Sequence, residues 1–368
     1  MNTLELKARL LCEGANPEDE ETIKFLESQN PQKVLRGGLS SGLKIRINPQ
    51  LPSAREFKVN FPLYLKRPAS LKIRATETGL IILENDEEIG RAEILQPPEW
   101  YDQNVDGYPI TSILTQHGDQ LAGAVYEWCC LFNTGEQCKF CVMDRSQSNA
   151  DLKNVQLKAE LLIKAFQKIP REAYKGIILN GGMTFSLGRG LEVMIPVVQQ
   201  IREQIGKIPI SVEITPPKDL ALIEEFAQAG GESLMMNLEI WDDETRRNII
   251  PGKTKYCQKE DYLKAFEKAV AILGKGKVST CFVVGTEPKE SLKDGIKTVV
   301  SYDVIPSPVA GRYFEQFSDY PFNPSVDWRQ LLEIFQFARE QMAKKGLLPK
   351  DKAGCIACGM CDIIGDNI

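Results

Sequence analysis

Beyond Asp119 the apolar positions fall into short unbroken runs that alternate with stretches at helical spacing. The runs lie at 121–128, 176–179, 208–214, 233–240, 278–284 and 302–305, and the helical stretches at about 155–168, 189–205, 217–229, 259–274 and 288–300. Six strands alternating with helices predict a parallel sheet with right-handed crossovers, either doubly wound or curled into a partial barrel. In both arrangements chemistry sits at the carboxyl ends of the strands. Upstream, between about 38 and 110, shorter runs at 43–47, 57–59, 71–73 and 80–83 are punctuated by Gly, Asn and Pro, which predicts a small β subdomain. Residues 1–30 predict two short helices read as a lid or docking arm, and a last helix over 328–345 leads into a Cys-rich tail. The expected division is 1–115, an N-terminal helical arm and small α+β subdomain; 116–325, the strand-helix repeat; and 326–368, the final helix and tail.

The 368 residues carry 45 basic and 50 acidic side chains, a net charge of −5, and are 43% hydrophobic. That composition is globular, offers no general footprint for nucleic acid and contains no apolar run long enough to span a membrane. The N-terminus lacks the basic-then-apolar profile of a signal peptide, so a cytoplasmic location is expected. Ten cysteines accompany a single histidine, His117. One histidine rules out a metal site built on two or three imidazoles within one chain, and cytoplasmic cysteines in this number suggest metal or redox groups. His117 itself reads as an ordinary loop residue.

At the end of the first predicted strand of the repeat the chain reads Trp128-Cys129-Cys130-Leu131-Phe132-Asn133-Thr134-Gly135-Glu136-Gln137-Cys138-Lys139-Phe140-Cys141. Cys129 or Cys130, with Cys138 and Cys141, gives three thiols on one loop. Three thiolates can hold three irons of a four-iron, four-sulfur cluster and leave the fourth open, where an electron-transfer cluster takes four. A zinc site or buried unligated thiols are the alternatives. In the tail, Cys355, Cys358 and Cys361 are spaced C-x2-C-x2-C, the start of a ferredoxin-like run without its fourth member. This spacing predicts an auxiliary cluster with a fourth ligand from elsewhere, Cys12, Cys257 and Cys281 among the candidates.

With Cys138-Lys139-Phe140-Cys141, an aromatic preceding the last cysteine, the chain resembles the radical S-adenosylmethionine (SAM) superfamily over roughly 117–312. The longer gap before Cys138 departs from the family's usual spacing. Gly181-Gly182, one strand later, looks like the family segment that contacts the SAM amino group. Glu239 resembles the acidic residue that the biotin-synthase-like branch uses for SAM; for the basic partner of the SAM carboxylate Arg246 is the first choice, with Lys253 and Lys259 in competition. Gly285, after the fifth strand, resembles the segment lining the adenine, and Phe140 falls beside the cluster motif. The resemblance implies a partial (β/α)6 barrel, SAM and two 4Fe–4S clusters per chain, and a 5′-deoxyadenosyl radical that abstracts hydrogen from unactivated carbon. The barrel combined with the three-Cys tail is similar to the two-component lipoyl synthases. That similarity implies sulfur insertion into an unactivated C–H bond with the tail cluster as sulfur source, an octanoylated carrier protein as substrate, a second radical SAM subunit, and a ferredoxin or flavodoxin as reductant. The alternatives are oxidation or rearrangement of a small metabolite with the tail cluster as electron relay, and a non-catalytic iron–sulfur carrier.

Overall fold

The computed structural model describes residues 2–29, 42–48, 57–143, 150–313, 315, 322–348 and 354–364. Parts of the predicted β subdomain, at 38–41 and 49–56, lie outside them. Helices α1 (Thr3–Glu13) and α2 (Glu20–Gln29) flank β1 (Asn16–Pro17), and β2 (Leu43–Ile47), β3 (Phe57–Phe61), β4 (Leu71–Thr76), β5 (Gly79–Glu84) and β6 (Glu87–Ile94) follow. These strands form one sheet in the order β1-β4-β5-β6-β2-β3, antiparallel except for the β1–β4 pair. Its strands alternate as a sheet with one covered face should: Leu71 and Ile73 are buried, whereas Lys72 and Arg74 are not. The N-terminal helix is not an arm. Leu6, Ala8, Leu10 and Leu11 of α1 are buried in the main core, and of its two buried cations Lys7 donates to the Gly359 carbonyl and Arg9 is paired with carboxylates. Arg9 forks onto Glu84 of β5 at 2.7 and 2.8 Å and onto Glu13, the bidentate geometry that makes a buried guanidinium tolerable.

After the short pair β7 (Asn104–Val105) and β8 (Tyr108–Pro109), the second sheet comprises β9 (Leu114–His117), β10 (Gln120–Ala124), β11 (Gly176–Asn180), β12 (Ile210–Glu213), β13 (Ser233–Met235), β14 (Val278–Val284) and β15 (Ile305–Ala310). Strand order equals chain order. β10 to β15 are all parallel, and β9 pairs antiparallel with β10 at one edge. The connections run through α3 (Cys130–Asn133) and α4 (Val155–Lys168), α5 (Leu191–Gln204), α6 (Ala221–Gln228), the series α7 (Asp243–Ile249), α8 (Pro251–Tyr256) and α9 (Lys259–Leu273), and α10 (Lys289–Ser301). Because every crossover steps one strand in the same direction, right-handed connections put all helices on one face. The other face turns inward, and the sheet is a partial (β/α)6 barrel with its lumen on the helix-free side.

The last strand runs over 305–310, later than the predicted 302–305, because Pro306 and Pro308 argue against a strand. They are accommodated because β15 is the sheet's edge: two residues apart, both turn the side lacking N–H away from β14. Helix α11 (Trp328–Lys344) packs on α1, α10 and β15 and ties the two sheets together, with Leu331, Ile334, Phe335 and Ala338 buried. The tail then returns, and α12 (Cys355–Cys358) seats inside the barrel. Among the described residues no helix is long and apolar enough to cross a membrane.

Candidate active site at the mouth of the barrel

A cavity of about 430 Å³ opens at the carboxyl ends of the barrel strands. Cys129, Cys138 and Cys141 all line it, and Cys130 does not. Local sterics explain the division between the adjacent thiols. Cys129 is the extended residue before α3, whereas the Cys130 N–H donates to the Met183 carbonyl at 2.9 Å and its side chain packs with Leu131 and Met183. Burial pushes the Cys141 thiol up to about 12 and Cys138 well above the ordinary value, so binding of metal at this loop displaces protons.

Gly181 and Gly182, after β11, line the same cavity. A Cβ on Gly182 would stand 2.5 Å from Cys129 Cβ and closer still to the Trp128 carbonyl oxygen. A Cβ on Gly181 would stand 2.5 Å from Cζ of Tyr126, whose hydroxyl donates to the Gly182 carbonyl at 2.6 Å. The glycine pair therefore lets the β11 turn lie directly against the Cys129 backbone. Gly182→Ala is expected to cost about 1–3 kcal/mol by overpacking and to lower iron uptake by displacing Cys129; urea unfolding and iron counting check both.

On the far wall, Glu239 follows β13 with φ +69°, a left-handed conformation uncommon for Glu. Its N–H donates to Cys281 O at 2.9 Å and its carbonyl accepts from Val283 N–H at 2.8 Å, so β14 holds the strained residue in place. Behind it, the Glu287 carboxylate accepts the Trp241 and Asp242 N–H groups, and the Asp242 side chain caps α7. Lys253, brought back by α8, donates to Glu239 Oε1 at 2.8 Å and to Asn237 O at 3.3 Å. Burial opposes the charge on Lys253, but the Glu239 carboxylate outweighs it and holds the ammonium well above its usual range.

Arg246 does not reach the cavity. It is 1% exposed, and its guanidinium donates to the carbonyls of Leu238, Ile240 and Cys257, bracing the Glu239 turn from behind. Lys259 is turned away toward Trp241 and Asp243. Of the three competing cations, the one paired with Glu239 in the cavity is Lys253. Gly285 is also displaced from its expected place: with φ +90° it packs against Val326 and is not part of the cavity wall. Phe140 does line the cavity, edge-on to Phe322 at 5.6 Å between ring centres. His117 is buried in β9, 2.9 Å from the Thr115 hydroxyl, and takes no part. Glu127, Glu213, Asn237, Cys281 and Arg312 line the cavity without having been singled out from the sequence, apart from Cys281 as a possible tail ligand.

The tail approaches from below. Gly354 lies against Ser211 of β12, Lys7 Nζ donates to Gly359 O at 2.7 Å, Asn60 N–H donates to Met360 O at 3.0 Å, and the Ser307 hydroxyl donates to Asp362 at 2.7 Å. Cys355 packs on Met235, Cys281, Val283 and Val309, and its thiol donates to Glu213 Oε1 at 2.7 Å. Since Glu213, Cys281, Val283 and Val309 also line the cavity, Cys355 lies under its floor. Among the described residues no three Cys, His, Asp or Glu groups converge as ligands of one ion would.

Residues 128–299 match the model of the Radical SAM superfamily. Over this stretch, a little under half of its length, the chain is similar to the radical SAM superfamily. It is 26% identical over 246 residues to the bacteriochlorophyllide c C-7(1)-hydroxylase of Chlorobaculum limnaeum, covering 61% of this chain and 60% of the relative. Among solved structures, methylornithine synthase aligns with a TM-score of 0.44 at 13% identity, covering 60% of this chain and 62% of that one. Coproporphyrinogen III oxidase from Escherichia coli aligns at 0.41 and 15% identity, covering 67% of this chain and 57% of that one.

The family implies SAM and a 4Fe–4S cluster, and the residues present suit both. Three thiols line the cavity, a glycine turn lies against the Cys129 backbone, and the second carboxylate oxygen of Glu239 is buried without a protein partner. When bound, these groups supply reductive cleavage of SAM to a carbon radical.

Proposed function

We propose that this chain abstracts hydrogen from an unactivated C–H bond and that the substrate leaves oxidised, with a heteroatom in place of the hydrogen. Cys129, Cys138 and Cys141 would hold the cluster, and Gly181, Gly182, Glu239 and Lys253 would orient SAM, the glutamate and lysine as a charge-matched pair for its amino and carboxylate ends. Phe140 and Phe322 would give the reacting carbon an apolar wall to pack against. The observation that carries this reading is that Cys129, Cys138 and Cys141, the glycine turn and the Glu239–Lys253 pair all line one cavity at the strand ends.

The relative's name, a hydroxylase, favours oxygen as the inserted atom over the sulfur implied by resemblance to lipoyl synthases. Replacing a C–H hydrogen by hydroxyl from water removes one hydrogen atom and one further electron and releases a proton, so an electron acceptor is required. A cluster on Cys355, Cys358 and Cys361, beneath the cavity floor, would accept that electron. The same position suits a sulfide donor, which keeps sulfur insertion as the second reading. Reaction with candidate substrates followed by product mass separates the two. Gain of oxygen with the tail iron retained supports hydroxylation; gain of sulfur with loss of tail sulfide supports insertion; 5′-deoxyadenosine formation without a change in any substrate argues against both. Replacing Cys355, Cys358 and Cys361 together by Ala is expected to remove the tail's share of the iron and end product formation while SAM cleavage continues. Simultaneous loss of SAM cleavage would show that these cysteines serve the first cluster or the fold.

A further inference from the structure

The tail cysteines number three, and a four-iron cluster that is not open needs a fourth ligand. We infer that Glu213 supplies it, as an oxygen ligand, and that the iron it binds faces the cavity. This rests on the tail-cluster reading above.

Glu213 ends β12 inside the barrel, opposite Met235 in the parallel register, where its carboxylate both lines the cavity and accepts the Cys355 thiol at 2.7 Å. The thiol that it accepts sits on an apolar seat of Met235, Cys281, Val283 and Val309. A carboxylate in such a place needs strong compensation, and a thiol is a weak donor that gives little. An iron would satisfy the carboxylate and the thiolate together. The tail is held for this purpose from several sides, by Ser211, Lys7, Asn60 and Ser307, so Cys355 does not reach Glu213 by chance contact of a loose terminus.

Cys281 shares the seat and is the rival ligand. It lies in the middle of β14 with its N–H accepted by Asn237, and a strand-embedded thiol has one side-chain torsion and points where the pleat directs it. Glu213 stands at a strand end with three torsions, enough to swing from Cys355 to the next corner of a cluster. Oxygen is also the harder donor among soft thiolates, which makes that corner the exchangeable one and allows a substrate atom to take its place.

The test uses full-length protein in a Cys129→Ala, Cys138→Ala, Cys141→Ala background, reconstituted with ⁵⁷Fe, so that only the tail can bind a cluster. Mössbauer spectra are expected to resolve one iron of the cluster apart from the others. Glu213→Cys is expected to bring that iron into line with the thiolate-bound ones. Glu213→Ala is expected to open the site, so that added cyanide shifts the reduced EPR signal, and Cys281→Ala is expected to change neither spectrum. Circular dichroism confirms that each variant is folded. If the background protein takes up no iron, the tail-cluster reading itself fails. If a four-iron cluster forms and the Glu213 variants match the parent, or Cys281→Ala moves the distinct iron, the tail cluster stands and the Glu213 assignment is overturned.

Discussion

Cys129→Ala is expected to abolish 5′-deoxyadenosine formation, as are Cys138→Ala and Cys141→Ala, whereas Cys130→Ala leaves it near the parent level. The adjacent thiols are chemically alike, and position alone separates them. Cys129 faces the cavity with the other two, while Cys130 is turned by its hydrogen bond to the Met183 carbonyl into an apolar nest with Leu131. Loss of one of three ligands leaves a cluster without an anchored corner, so the effect is close to complete. Cys130→Ala removes a small buried side chain and costs stability on the order of 1 kcal/mol. The assay is quantification of 5′-deoxyadenosine after anaerobic reduction with excess SAM. Activity in Cys129→Ala together with its loss in Cys130→Ala would invert the assignment.

Lys253→Met carries the second large effect. The Glu239–Lys253 pair is buried on both sides, with side chains 11% and 13% exposed. Removing the cation strands a carboxylate already held in a left-handed backbone conformation, and breaking a buried pair in this way costs about 3–5 kcal/mol. The variant is expected to lose SAM binding as well as stability. Glu239→Gln, which keeps shape and one acceptor, is expected to retain more of the fold than of the SAM affinity. Urea unfolding of the two variants and calorimetric titration with SAM separate the contributions. Arg246→Met is expected to unfold the protein more readily without acting on SAM directly, since its guanidinium serves the carbonyls of Leu238, Ile240 and Cys257.

Much of the barrel was legible because each unit has its own period. Helices α4, α9 and α11 lie within a residue or two of their expected bounds, and β14 runs over the expected 278–284. Short elements and local choices were not legible. Helices α7 and α8 are too brief to display a period, and they decide which cation meets Glu239: α8 returns Lys253 to the cavity while Arg246 is drawn backward by carbonyls. That choice depends on three-dimensional closure of a turn and leaves no spacing signal. Cys129 and Cys130 differ only in which way the first turn of α3 faces. Glu213 carried a faint signal, an acidic residue at the end of an apolar parallel strand, where polar groups tend to be functional. The N-terminal helices, read as a lid or docking arm, belong to the core because Lys7 and Arg9 find partners in segments far away in the chain, Gly359 and Glu84, which no local spacing announces.

The most direct test of the radical SAM assignment is anaerobic reconstitution with iron and sulfide, followed by EPR of the reduced protein with and without SAM. The structure predicts that SAM shifts the signal of a four-iron cluster bound by Cys129, Cys138 and Cys141, and that this signal is absent from Cys138→Ala. A signal unmoved by SAM, or a loop that takes up zinc in place of iron, would contradict it.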